Sequence, residues 1–139
     1  MKKIFLLNFL LLFSFTLFAQ GAGDEVVFIF KTKKKKIFHQ DELKQNVVDF
    51  FITGLKTQKD IDNLRQQFIK KDGVQKFVIS PDIIDGKRKA TLILHQNLFF
   101  YYFKQMMSEF GVIKVIIDNE HIATDDIGTT GKTKKIKDL

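Results

Sequence analysis

Two rhythms of apolar and polar positions run along the chain, and they divide it into elements. Val47 to Thr53, "VVDFFIT", is β-branched and aromatic and predicts a strand. Ile61, Leu64 and Phe68 then recur at helical spacing, which predicts a helix over 57–71 with one apolar stripe. Thr57 and Asp60 stand three apart at its start, a capping box with Asp in place of the usual Glu, and Asp72-Gly73 closes it. Val74 to Ser80 and Lys89 to Leu94 read as the arms of a hairpin around Asp85-Gly86. Asn97 is placed to cap a second helix over 98–110, closed by Gly111, and Val112 to Ile117 reads as the last strand. Strand, helix, strand, strand, helix, strand predicts an α+β fold. Its expected form is a ferredoxin-like sandwich, four antiparallel strands with two helices on one face.

The flanks read differently. Met1-Lys2-Lys3, the apolar run from Ile4 to Phe18 and the small Ala19 have the three-part layout of a secretory signal peptide. The run is shorter than the ~20 residues of a spanning helix. Cleavage is expected after Ala19, with Ala22 a second cut site, leaving an exported periplasmic or secreted protein with no transmembrane span. The expected organisation is signal peptide 1–19, an extra N-terminal strand at Val26 to Phe30 with a basic connector to residue 46, the α+β domain over 47–122, and a basic, disordered tail over 123–139. Cysteine is absent, so disulfides, cysteine-linked lipid and thiolate metal sites are excluded. Loss of Lys2 and Lys3 lowers the formal charge from +7 to +5, and the remaining excess sits in two runs, Lys33 to Lys36 and Lys132 to Lys137. A run of like charge is solvated by default, or else it meets an anionic surface.

Three passages together resemble a known family. Gly54-Leu55 follows the first strand, "KKDGVQKFVIS" spans Lys70 to Ser80, and the order of elements over 47–122 completes the match. This part of the chain resembles the heavy-metal-associated domain of copper chaperones and metal-pumping ATPases. That family's motif is Gly-Met-x-Cys-x-x-Cys. On it, Gly54 and Leu55 take the Gly-Met positions, and Thr57 and Asp60 take those of the two cysteines. A hydroxyl and one carboxylate do not replace two thiolates for a soft ion. Lys56 and Lys59 also make the loop electropositive beside a helix N-terminus. Three readings of the loop follow: helix capping alone, which is favoured; an anion site made by Gly54, Lys56, Thr57, Lys59 and Asp60; and, last, retained metal capture.

No catalytic constellation is visible. "GTTGKTKK", Gly128 to Lys135, lacks the spacer and the strand–helix setting of a phosphate loop. His39, His95 and His121 have no partner at ligand spacing, and the acidic residues around His121 fit no calcium loop. No cofactor is implied. In the second helix a 100° projection turns Phe99, Phe103, Met106, Met107 and Phe110 toward the sheet, leaving Phe100 and Tyr101 as candidate partner contacts. The expectation is a non-enzymatic binding module for a protein or polyanion, engaged through Phe100, Tyr101, Lys33, Lys34, Lys35 and Lys36. The alternative is a heavy-metal binding or transport protein with non-cysteine ligands.

Overall fold

In the computed structural model, residues 25–129, 131 and 133–139 are described; the expected signal segment lies outside them. The elements are β1 (Val27–Phe30), β2 (His39–Gln40), β3 (Asn46–Thr53), α1 (Gln58–Ile69), β4 (Val74–Ile79), β5 (Arg88–Leu94), α2 (Phe100–Glu109), β6 (Lys114–Ile117) and β7 (Glu120–Ala123). The class is α+β. One sheet runs β4-β5-β3-β1-β6-β7, with the short β2 paired to β3.

The expected four-stranded antiparallel sheet is not what forms. The N-terminal strand β1 is a central member of the sheet. It pairs antiparallel with β3 and parallel with β6, with Phe28 opposite Ile52 on one side and Val115 on the other. The reason is its composition. Phe28 and Phe30 are both fully buried on the helix side, and burying such a ring contributes about 1.5–3 kcal/mol. An edge position would leave one flank of that strand wet and its backbone groups unpaired. Phe28 packs 4.8 Å from Phe50 and 6.0 Å from Phe103, centroid to centroid, so β1, β3 and α2 meet in one aromatic cluster.

Both helices feed that cluster. Helix α1 buries Ile61, Leu64 and Phe68, the predicted stripe, and Phe68 lies 4.6 Å from Phe77 of β4. Helix α2 starts two residues later than its projection, at Phe100 rather than at residue 98. Phe99 is an extended N-cap with φ −110° and no side-chain cap bond. Phe99 therefore falls off the helical arc and is exposed, whereas Phe100 is fully buried with Phe103, Met106 and Met107. Asn97 does not cap; the buried Asn46 amide instead donates to the carbonyls of Gln96 (3.2 Å) and Leu98 (2.7 Å) and sets where the helix begins.

The segment 123–139, expected as a disordered tail, is docked. It carries 3-10 turns at Thr124–Asp126 and Thr133–Lys135. Ile127 and Thr133 are buried, and Ile136 packs on the core. Lys104 Nζ donates to the carbonyls of Asp125 (3.1 Å) and Ile127 (2.9 Å). Two isoleucines inside a polar composition suffice to seat it, because their pockets are supplied by distant elements. Among the described residues no helix is long and apolar enough to cross a membrane.

These contacts make β1 part of the domain rather than an appendage. A fragment of residues 47–122 is expected to stay unfolded, with collapsed amide dispersion in a nitrogen–proton NMR spectrum, while residues 25–139 fold cooperatively. A dispersed spectrum from the shorter fragment would show that β1 is dispensable.

Candidate functional site

The loop from Gly54 to Asp60 is built first from its backbone. Gly54 has φ +90°, and a Cβ there would stand 2.3 Å from the carbonyl oxygen of Glu25. Glycine is required because the chain entering β1 crosses directly over it. Leu55 is buried in the core. The buried Arg88 donates from Nε to the Leu55 carbonyl at 3.2 Å and from Nη1 to that of Pro81, which fixes the loop from beneath. Nothing in the sequence had pointed to Arg88, whose neighbours in the chain are the exposed end of a hairpin.

The helix start completes the capping box. The Thr57 hydroxyl accepts the Asp60 N–H at 3.2 Å, and the Asp60 carboxylate accepts the N–H of Thr57 at 3.0 Å and of Lys56 at 3.2 Å. The Thr57 backbone N–H, with the Thr57 hydroxyl behind it, holds the Asp60 carboxyl below the ordinary 3.8. Gly54, Lys56, Thr57, Lys59 and Asp60 are thus brought together, but the donors an anion would use are engaged by the chain's own carboxylate. An incoming anion would also meet that negative charge. For a cation the balance is no better: Lys56, Lys59, Arg88 and the helix N-terminus all oppose it. A cavity of about 380 Å³ lies beside the loop, lined by Glu25, Leu55, Lys56, Asn63, Phe110 and Ile113.

The histidines are spread over β2, the end of β5 and β7. The His95 ring bonds the Gln75 amide, 3.0 Å from its Nδ1. Asp125, part of the acidic stretch near His121, accepts from Ser108 Oγ at 2.8 Å and so anchors the tail to α2. Among the described residues no three His, Asp or Glu side chains gather in a way that would hold a metal ion.

A second surface draws together what the sequence keeps apart. Lys33 and Lys36 exchange both backbone hydrogen bonds, at 2.8 and 2.9 Å, around a two-residue turn. Lys34 and Lys35 form its tip with φ 51° and 64°. That is a type I′ turn, the geometry that ordinarily takes Asn-Gly. Its base is tied to the β6–β7 turn, where the Asp118 carboxylate accepts the Thr32 N–H at 2.8 Å and the Thr32 hydroxyl at 2.6 Å. The far end of the chain lies against this hairpin. Lys137 N–H donates to the Lys35 carbonyl at 2.8 Å. The Asp138 carboxylate accepts the N–H of Ile37 at 3.1 Å and of Phe38 at 2.6 Å.

A groove of about 560 Å³ results, lined among others by Lys33, Lys34, Lys36, Lys137, His39 and Phe99. Phe99 is 48% exposed there and presents an aromatic ring among cations. The expected pair of aromatic contacts is corrected in this way: Phe100 belongs to the core, Tyr101 is 61% exposed, and Phe99 takes the surface role. Asp138 carried no signal in the sequence, and Phe99 was expected to face the sheet. The two lysine runs were visible, but about a hundred positions separate them, and no local signal joins them.

Comparison with known proteins finds no family model, no curated protein and no solved structure that matches the chain.

The capping box generates a paired expectation. Thr57→Ala should lower stability by about 1 kcal/mol in urea denaturation at pH 7. Asp60→Asn should cost stability at neutral pH but not in acid. A carboxyl depressed on folding contributes fully above its ordinary 3.8 and loses that contribution as pH falls through the lower folded value. The stability curves of wild type and the Asp60→Asn variant should therefore converge as pH falls through the lowered folded value; parallel curves would remove Asp60 from the acid limb.

Proposed function

We propose that this protein is an exported, non-enzymatic binding module whose ligand is an acidic polymer held in the groove between the lysine hairpin and the segment 133–139. The scaffold is proposed to be a ferredoxin-like unit of heavy-metal-associated type, widened by β1. In support, α1 and α2 each link parallel strands and follow β3 and β5 in the expected order. Its former metal loop serves as a helix cap.

One observation carries the reading: the Lys33–Lys36 run and Lys137, about a hundred positions away, line one groove beside an exposed phenylalanine. Lysine ammonium groups attract anionic groups without fixing their geometry, and an aromatic face adds contact area for sugar or base rings. The strain at the hairpin tip favours the same reading. Lysine in the left-handed region costs roughly 1 kcal/mol per residue relative to glycine, so a turn selected for stability alone would not place Lys34 and Lys35 there. Backbone strain of this kind concentrates where a side chain is needed. The protein-partner version loses support with Phe100, which is fully buried.

Two measurements test it. Heparin, taken as a generic polyanion, should bind residues 25–139 with an affinity that falls at least tenfold between about 50 and 200 mM salt. Lys34→Asn with Lys35→Gly should raise the melting temperature and weaken heparin binding together. Binding that ignores salt, or a double variant that binds as well as the parent, would defeat the proposal.

A further inference from the structure

The groove has a floor as well as walls. The adjacent backbone N–H groups of Ile37 and Phe38 both donate, at 3.1 and 2.6 Å, to the carboxylate of Asp138, which with Phe38 lines the groove. The backbone carbonyl of Asp138 in turn accepts the Phe100 N–H at 3.2 Å, at the first turn of α2. Successive amides converging on one carboxylate, next to an α-helix start and ringed by lysines, form an oxyanion site that already contains an oxyanion.

Resting on the reading of this groove as the polyanion surface, we propose that the Ile37–Phe38 amide pair is the site for one charged oxyanion group of the ligand, a carboxylate or a phosphate, and that Asp138 is its internal occupant. The ligand group displaces Asp138, and the strap around Lys137 and Asp138 lifts from the hairpin. Besides the carboxylate itself, two backbone bonds hold the strap, Lys137 N–H to Lys35 and Phe100 N–H to Asp138. The side chains of Lys137 and Leu139 are exposed. The principal apolar anchors of the segment, Ile127 and Ile136, lie before the strap, so the domain keeps its core when residues 137–139 detach. Displacement exchanges one anion for another on the same two amides; lifting the strap also breaks the two backbone bonds, Lys137 N–H to Lys35 and Phe100 N–H to Asp138, which contacts of the ligand with the lysines must offset. A strap that is closed nine-tenths of the time lowers the apparent affinity for an external anion about tenfold.

The experiment compares wild type, Asp138→Ala and Asp138→Asn of residues 25–139, with inorganic phosphate, acetate and heparin as probes. Amide shifts of Ile37 and Phe38 are followed by NMR. The Asp138→Ala protein should show both amides moving on addition of phosphate or acetate, at roughly tenfold lower concentration than wild type, and the more effective of the two anions identifies the group. Heparin affinity should rise in parallel. Asp138→Asn keeps an acceptor without the charge and should give a smaller change in the same direction, so a poorly folded Ala variant does not remove the test. If neither amide moves in either variant while wild type still binds heparin through its lysines, the oxyanion site is wrong and the polyanion groove stands. If the amides respond but heparin does not bind, the site stands and the polymeric ligand falls. Silence in both overturns both.

Discussion

The whole fold depends on one short strand having nowhere better to go than the middle of the sheet. Four residues of β1 place Phe28 and Phe30 against Phe50, Phe103 and Phe100. Its backbone pairs with β3 on one side and β6 on the other. Removing that strand would leave both helices facing a gap at the centre of their own core. It would also separate β6 and β7 from the rest, since β1 is their link to the sheet. The parallel pairing of β1 with β6 follows from this position, because the direction of β1 is set by β3 and that of β6 by the α2 crossover.

With the centre fixed, the loop before α1 has little freedom to act. Glu25 lies over Gly54, Arg88 holds Leu55 from below, and Thr57 and Asp60 satisfy one another's backbone groups. Each of these interactions serves the packing of α1 onto the strands. The feature that resembles a metal-capture loop is thereby explained as architecture, with its single carboxylate turned toward the chain's own amides.

Charge is gathered elsewhere, at the rim opposite in sequence terms but continuous in space. Placing lysines in the left-handed tip of a hairpin costs stability, and the large aromatic core can absorb that cost. The same rim holds Asp138, so a lysine-lined part of the surface is also a place where the molecule supplies an anion of its own. Positive potential, an exposed ring and two convergent amides occur together in this one groove.

Much of this was legible in the residues. The α1 stripe of Ile61, Leu64 and Phe68 and the capping box are local patterns, set by propensity and spacing within one turn or two. The Asp85-Gly86 turn is equally local, and its two residues have φ 51° and 73°. The start of α2 lies two positions beyond the one its local pattern predicts, because the buried Asn46 fixes it from about fifty residues away. The sequence by itself determined the class, the element order and the charge excess, all of which depend on neighbours along the chain. Only the tertiary structure decided that β1 is central, that Phe99 rather than Phe100 faces solvent, and that Lys137 shares a groove with the Lys33–Lys36 run. Those outcomes rest on which distant surfaces bury each other best, a competition among non-local contacts that leaves no periodic trace in the sequence.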